Sequence, residues 1–412
     1  MKNLFTIKGF SRGGTKMKEK LMKMLENRKD EMIKIRRYLH ENPELSFQEK
    51  KTSQYIVEFY KGKNVEIQTN VGGGYGVIVM IKGEKEGKKI GLRADFDALP
   101  IQEETDVPFK SKNPGVMHAC AHDGHTAYLM ILADCLIQLK DEIPGTIKII
   151  HQPAEEVPPG GAIGMVESGL LDDLDHIFGV HLLPLGPAGV VGYNSGYVFP
   201  GRAYFKLKVQ GIGGHGSSPH LANDAIIAGA HFVTAIQTII SRRLNPFDMG
   251  VVTIGSFDGK GTFNVIKDKV ELEGDVRGMT EETRELIEKE IRRIAKGIEE
   301  EFNVTCKLTY TPDYPPLYNN PELTKMVETA LKNTNDRDIK EVKEFPKLSP
   351  SEDFAHYAKK FPACFFYICC TPKGVEKPYF NHHPKFDIDE DALLVAAKAV
   401  GTVICDYYQI NE

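Results

Sequence analysis

Between Gly76 and Val180 the chain alternates β-like runs with helical ones, and residues able to bind a metal or carry a proton stand where the strands finish. The β-like runs are Gly76–Lys82, Lys89–Ala94, Thr146–His151 and His176–Val180; the helical ones are Thr126–Lys140 and the short Gly164–Ser168. Strands separated by helices imply an α/β fold with a largely parallel sheet covered on both faces. In such sheets ligands bind in the crevice outside the carboxyl ends of the strands. Asp95, Glu155, Glu156 and His181 each come just after a strand, so separate segments deliver polar groups to one rim.

The rest of the chain sorts around this block. A helical pattern runs from Lys16 to Asn42, where Pro43 stops it, and a second helix covers Gln48 to Gly62. Gly72–Gly76 precedes a strand rather than a helix, so it reads as a flexible turn and not as a dinucleotide site. After Pro200 the pattern changes. Ala203, Phe205, Leu207 and Val209 alternate with polar residues, as on a half-exposed strand. Helix Asn223–Arg243, strands Gly250–Phe257 and Lys269–Arg277, helix Glu281–Phe302 and strand Val304–Thr311 follow. The order β-α-β-β-α-β is the ferredoxin-like arrangement. Residues 198–312 are therefore expected to form an inserted α+β domain, with residues 1–197 and 313–412 as the domain that surrounds it. The latter resumes with helix Pro321–Asn333, strand Ala363–Cys370 and helix Asp389–Tyr408. Prolines 200 and 312 at the junctions would let the insert close over a substrate.

A chain of 412 residues suits two domains. A net charge of −5 argues against nucleic-acid or anionic-membrane partners. No apolar run reads as long enough to span a bilayer. Seven scattered cysteines with no Cys-x-x-Cys pair fit a reduced, cytoplasmic setting. Met1 to Lys20 is basic, lacks a signal-peptide core, and reads as a frayed arm.

The stretch Met117–His118–Ala119–Cys120–Ala121–His122–Asp123–Gly124–His125 concentrates the chemistry. Cys120 and His122 are two apart, so in extended chain both project from one face. A thiolate and an imidazole together suit a borderline-soft divalent metal. Glu156 and His181 on the rim add further donors, and a fifth comes from Tyr379–Phe380–Asn381–His382–His383–Pro384, where the residues alone do not choose between His382 and His383. Five donors exceed what one tetrahedral ion needs and suit a two-metal site bridged by a thiolate or a carboxylate. His118, His125, Asp95, Asp97 and Asp123 are expected to orient the ligands, and His151, inside its strand, to be structural. Glu155 and Glu156 are adjacent and point apart, so one can bind metal while the other takes the proton of an attacking water. In the insert, Gly211–Ile212–Gly213–Gly214–His215–Gly216 lets backbone approach a ligand closely. Asn264 lies in the same domain, and Arg277, at a strand end, offers a guanidinium suited to a carboxylate.

Taken together, these motifs resemble the metal-dependent amidohydrolases and peptidases that include hippurate hydrolase, N-acyl-amino-acid amidohydrolases and the indole-acetyl-amino-acid hydrolases, with aminoacylase and a folate-cleaving carboxypeptidase as more distant kin. The likeness runs from Ile35–Arg36–Arg37–Tyr38–Leu39–His40–Glu41–Asn42–Pro43–Glu44–Leu45 to His382–His383–Pro384–Lys385–Phe386–Asp387. It implies a zinc-peptidase-like catalytic domain with an inserted lid and dimerisation domain. By position it assigns Cys120, His122, Glu156, His181 and His382 as ligands of two divalent ions, with Cys120 bridging. The ions would be Mn or Zn, with Co or Ni as further candidates. It makes Glu155 the general base, His215 an oxyanion-stabilising residue that reaches a neighbouring subunit's site, and Asn264 and Arg277 the holders of the substrate carboxylate. The implied reaction is hydrolysis of an N-acyl amino acid. The alternatives are a dipeptidase, aminopeptidase or carboxypeptidase, or N-acetyl-diaminopimelate deacetylation. The implied assembly is a homodimer or homotetramer through the insert. The family usually has glycine where this chain has Ala121, an exchange expected to cost little unless that residue takes positive φ.

Overall fold

The computed structural model describes residues 12–411, so residues 1–11 of the expected N-terminal arm lie outside the described residues. The chain divides into two compact units. Among the described residues, one comprises 12–196, 318–346 and 356–411; the other comprises 197–317 and 347–355. The short stretch 347–355, which the sequence assigns to the surrounding domain, belongs to the second unit. Its Ser351 hydroxyl donates to the carbonyl of Pro200 at 2.8 Å and receives an N–H from Arg277 at 2.7 Å.

In chain order the first unit begins with α1 (Arg12–Asn27), α2 (Lys29–Glu41) and α3 (Lys50–Tyr60). It continues through β1 (Glu66–Val71), β2 (Gly76–Lys82), β3 (Lys85–Asp95), α4 (His122–Gln138), β4 (Pro144–Gln152), α5 (Gly161–Glu167), β5 (His176–Pro187) and β6 (Val190–Tyr193). The single N-terminal helix expected from Lys16 is two helices that break at Arg28. The second unit holds β7 (Gly196–Phe199), β8 (Gly201–Gln210), β9 (Gly214–His215), α6 (Ala225–Thr238), β10 (Gly250–Asp258), β11 (Val265–Ile266), β12 (Lys269–Gly278), α7 (Glu281–Phe302), β13 (Thr305–Pro312) and the start of β14 (Leu317–Asn319). The first unit then resumes with α8 (Pro321–Lys332), β15 (Glu341–Glu344), α9 (Ala355–Lys360), β16 (Ala363–Thr371) and α10 (Asp391–Asn411).

The first unit is built on a mixed sheet of order β1-β2-β4-β3-β5-β16-β6-β15. Its centre, β4-β3-β5-β16, is parallel, while β1, β2 and β6 pair antiparallel to their inner neighbours. Consecutive residues Ile90–Asp95, Ile147–Gln152 and Ala363–Cys370 are buried, so this centre is covered on both faces, as the α/β reading requires. From β3 the chain moves to β4 on one side and then to β5 on the other. That reversal of direction opens the crevice at the strands' carboxyl ends. Helix α4, whose residues from His122 to Ile137 are all buried, starts at this crevice and runs back through the core.

The second unit is a four-stranded antiparallel sheet, β10-β12-β8-β13, with α6 and α7 packed on it, which is the ferredoxin-like order. Phe205, Leu207 and Val209 of β8 meet Phe232 and Ile236 of α6 and Ile287 and Ile291 of α7 in its core. Thr280 caps α7 by accepting the Thr283 N–H at 3.1 Å, and Asn303 ends it in the left-handed conformation. The helical stretch Ala225–Arg243 has 19 residues and a mean hydropathy of 1.3. It is therefore long and apolar enough to cross a membrane by length and composition, contrary to the expectation from sequence. In the fold its Ala225, Ala228, Phe232, Ile236 and Ile239 are buried in the core of this unit.

Candidate metal centre

Three loops of the first unit meet at the carboxyl ends of its parallel strands, and each carries a non-glycine residue in the left-handed region. Ala121 (φ 67°) precedes α4, Ala154 (φ 53°) follows β4, and His382 (φ 70°) lies between β16 and α10. Such conformations are costly for residues with a Cβ and persist where surrounding structure over-determines them. The N–H of His382 donates to the carbonyl of Ala119 at 2.8 Å, and the N–H of Ala154 donates to the buried Glu49 carboxyl at 2.7 Å. Ala121 does need positive φ, so the exchange for glycine carries a cost here.

These loops, with β5, bring Cys120, His122, Glu156, His181 and His382 together. Donor atoms of Cys120, His122 and His181 lie within 4.8 Å of one another, and so do those of Cys120, Glu156 and His382. The two triads share the sulfur. Sγ of Cys120 is 3.5 Å from Nε2 of His181, and Oε1 of Glu156 is 3.1 Å from Nε2 of His382 and 3.8 Å from Nε2 of His122. His181 does not follow its strand as expected; it lies within β5, paired with Tyr367. The pairing of β3 with β5 ends at Gly179, two residues before His181, so His181 lies level with Asp95 at the end of β3, on the rim.

The hydrogen bonds fix the tautomers. Nδ1 of His122 faces two acceptors, the Asp97 carbonyl at 3.0 Å and its Oδ1 at 3.1 Å. Nδ1 of His181 faces the carbonyl of Leu182 at 2.9 Å. Both Nδ1 atoms therefore carry a proton, and Nε2 is the atom each ring turns to the site. Burial would lower His122, but Asp95 and Cys120 hold it well above the usual imidazole range, so a metal there would take the place of an Nε2 proton. Burial, with His125 beside it, holds His181 well below the usual imidazole range, in the neutral form that ligates. Nε2 of His122 is buried and makes no hydrogen bond. A buried, unpartnered ring nitrogen among a sulfur, two further imidazoles and a carboxylate is a position that a divalent cation would satisfy.

Of the residues expected to orient the ligands, Asp97, Asp95 and His125 support this set, while Asp123 and His118 do not. Asp97 also accepts from Ser46 Oγ at 2.7 Å and from the Glu156 N–H at 3.0 Å. Burial would raise its carboxyl, but His122 and Ser46 hold it below the ordinary value. His125 donates to Asp95 at 2.6 Å and accepts the Leu182 N–H at 2.9 Å, which fixes the chain beside His181. Asp123 turns away, toward Arg36 (3.0 Å) and His40 (2.8 Å). His118 is buried, makes no hydrogen bond, and is pushed down to about 4 by burial. His151 pairs with Tyr60 at 3.0 Å inside β4. His383 stacks on Tyr379 at 4.2 Å and accepts the Lys385 N–H at 3.0 Å, leaving His382 as the one beside Glu156. Glu155 is buried, with a carboxyl oxygen in one cluster with His122 and Glu156. Ser46, Glu49 and Asn381 were not foreseen. The first two stand just after the Pro43–Glu44–Leu45 motif, and Asn381 immediately precedes His382.

In the second unit, His215 and Asn264 are neighbours on the β9–β11 ribbon, where Val265 pairs with His215 and the Gly216 N–H donates to the Asn264 carbonyl at 2.8 Å. Nδ1 of His215 accepts the Ser217 N–H at 3.2 Å, so its proton sits on Nε2 as an outward donor. Arg277 is not with them. It occupies the opposite end of β12 from the ribbon, eight residues beyond Lys269 and about 26 Å along the strand. Its Nε is bound to Asp275 at 2.8 Å and its Nη1 to Ser351.

The matches to known proteins agree with this arrangement. Residues 91–406 match the model of peptidase family M20/M25/M40. The chain belongs to that family. Among M20/M25/M40 relatives, thermostable carboxypeptidase 2 of Saccharolobus solfataricus is 38% identical over 92% of this chain and 96% of its own length. The N-acetyl-L-cysteine deacetylase of Bacillus subtilis is 36% identical over 89% of this chain and 86% of its own. A solved M20 structure, the YXEP protein of Bacillus subtilis described as a dinuclear metal binding peptidase, is 33% identical. It covers 92% of this chain and 98% of that one with a TM-score of 0.80. As an M20/M25/M40 member the chain is a hydrolase of amide bonds with a metal-binding centre.

Proposed function

We propose that the protein hydrolyses the amide bond of small N-acyl amino acids, using two divalent ions held by Cys120, His122, Glu156, His181 and His382. The observation that carries this reading is the pair of donor triads joined at Cys120 with the Glu155 carboxyl beside them. Bound there, such ions would supply Lewis acidity toward a carbonyl oxygen and a water molecule. Mn or Zn suits the mixed sulfur, nitrogen and oxygen donors, and Co or Ni could substitute.

In this reading Glu155 takes the proton of the attacking water and passes it to the leaving nitrogen. His215, protonated on Nε2, donates to the oxyanion. Arg277 and Asn264 bind the carboxylate of the amino acid. His215 and Asn264 sit at the other end of the β-sheet from Arg277, which favours two copies of the chain sharing these groups through the inserted unit. A homodimer is the simplest assembly that does so, and a homotetramer built from it is the alternative. All seven cysteines are free thiols, which suits a reducing cytoplasm.

The test is Glu155→Gln, with metal content and turnover measured on N-acetyl and N-benzoyl amino acids and on dipeptides. The expected result is full metal loading with turnover reduced by roughly 10²–10⁴. Wild-type rates at full loading would remove Glu155 from the reaction. The carboxypeptidase relative supports a second reading, a true peptidase. Faster cleavage of dipeptides than of N-acyl amino acids would select it.

A further inference from the structure

We propose that Asn381 is a positioning residue for Cys120, donating a side-chain N–H to the sulfur and thereby setting how much charge the sulfur would give to a metal held there. This rests on the two-ion reading above. Nδ2 of Asn381 lies 3.5 Å from Sγ of Cys120, a normal separation for a nitrogen donor and a sulfur acceptor. Against a metal-bound thiolate the reversed amide would set its oxygen against the sulfur, with two acceptors face to face. In the orientation adopted, Oδ1 is buried and makes no hydrogen bond, so the amide is held by what its nitrogen does.

The backbone explains why the contact exists. Successive side chains in extended chain point to opposite sides. The left-handed turn at His382 (φ 70°) instead lets Asn381 face Cys120 while His382 faces Glu156 at 3.1 Å. The bond from the His382 N–H to the Ala119 carbonyl, at 2.8 Å, ties this turn to the residue before Cys120. Donor and sulfur are therefore fixed in one another's reach. A hydrogen bond to a thiolate draws electron density from it. Such outer contacts tune a metal's ligands as surely as the ligands' own identity does. With less charge donated by the sulfur, ions bound there remain stronger Lewis acids.

The experiment is to load wild type, Asn381→Leu and the isosteric Asn381→Asp with Co²⁺ and to record the sulfur-to-cobalt charge-transfer band in the near ultraviolet. Loss of the N–H raises the energy of the sulfur lone pair, so both variants should shift the band to longer wavelength. Circular dichroism checks the fold, and Asn381→Asp decides the matter should the leucine variant not fold. An unshifted band in a folded variant overturns the role of Asn381 and leaves the metal reading standing. The absence of any such band in wild type overturns both.

Discussion

Oδ1 of Asp97 stands 3.1 Å from Nδ1 of His122, and through its other oxygen the same carboxylate receives the backbone N–H of Glu156. With its own carbonyl also 3.0 Å from Nδ1, this residue thus helps set the tautomer of one proposed ligand and the backbone position of another. Asp97→Asn keeps the shape but can turn an amide N–H toward Nδ1, which would move the imidazole proton to Nε2 and block ligation. Metal affinity should fall by about 10–100-fold. Competition with a chelator measures it, and an unchanged affinity would show that Asp97 does not govern His122.

Ala121 takes φ 67° directly before α4. A residue with a Cβ there costs about 1–2 kcal/mol relative to glycine, offset in part by the entropy glycine loses on folding. Ala121→Gly should therefore stabilise the protein by about 1 kcal/mol, a rise in melting temperature of about 2 °C. A neutral or destabilising result in denaturant titration would mean that the loop relaxes around alanine.

The rim was legible because a parallel sheet sends its loops to one end, so Asp95, Glu155 and Glu156 could be placed together from strand limits alone. What escaped the sequence depends on tertiary geometry. The choice of His382 over His383 comes only from the family resemblance, because the contact with Glu156 depends on a left-handed turn that no residue type signals. Strand β15, Glu341–Glu344, is a short edge strand of charged and half-exposed residues, so it lacks the alternation that marks a strand facing a core. The attachment of residues 347–355 to the second unit depends on contacts such as Ser351 with Arg277. Glu49 falls inside the helix expected over Gln48–Gly62 and Ser46 just before it, and only the folded chain turns them toward Ala154 and Asp97.

Without metal, the Cys120 sulfur and then the Glu156 carboxylate push the His382 imidazole up to about 10. At neutral pH that ring holds a proton which an incoming ion must displace. Metal uptake should release protons, and affinity should rise with pH up to about 10 and weaken as pH falls. Calorimetric titration of metal-free protein in buffers of different ionisation enthalpy reads the proton count. Replacing His382 with alanine should lower that count, and an unchanged count would show that the displaced proton comes from elsewhere.

Glu49 is fully buried, and burial, with Asp97 as the second cause, pushes its carboxyl up to about 8. Its Oε1 accepts the Ala154 N–H at 2.7 Å, while Oε2 has no partner. Between pH 4.5 and 8 the folded chain keeps a proton that the unfolded chain releases, so this residue makes stability fall as pH rises across that window, by up to about 1.4 kcal/mol per pH unit. Glu49→Gln retains an acceptor for Ala154 and has no proton to lose. Its melting temperature relative to wild type should be lowest near pH 4, climb through neutrality and level off above pH 8. Parallel melting curves across that range would mean that Glu49 ionises at its ordinary value, and that the Ala154 amide is held by a carboxylate rather than by a neutral acid.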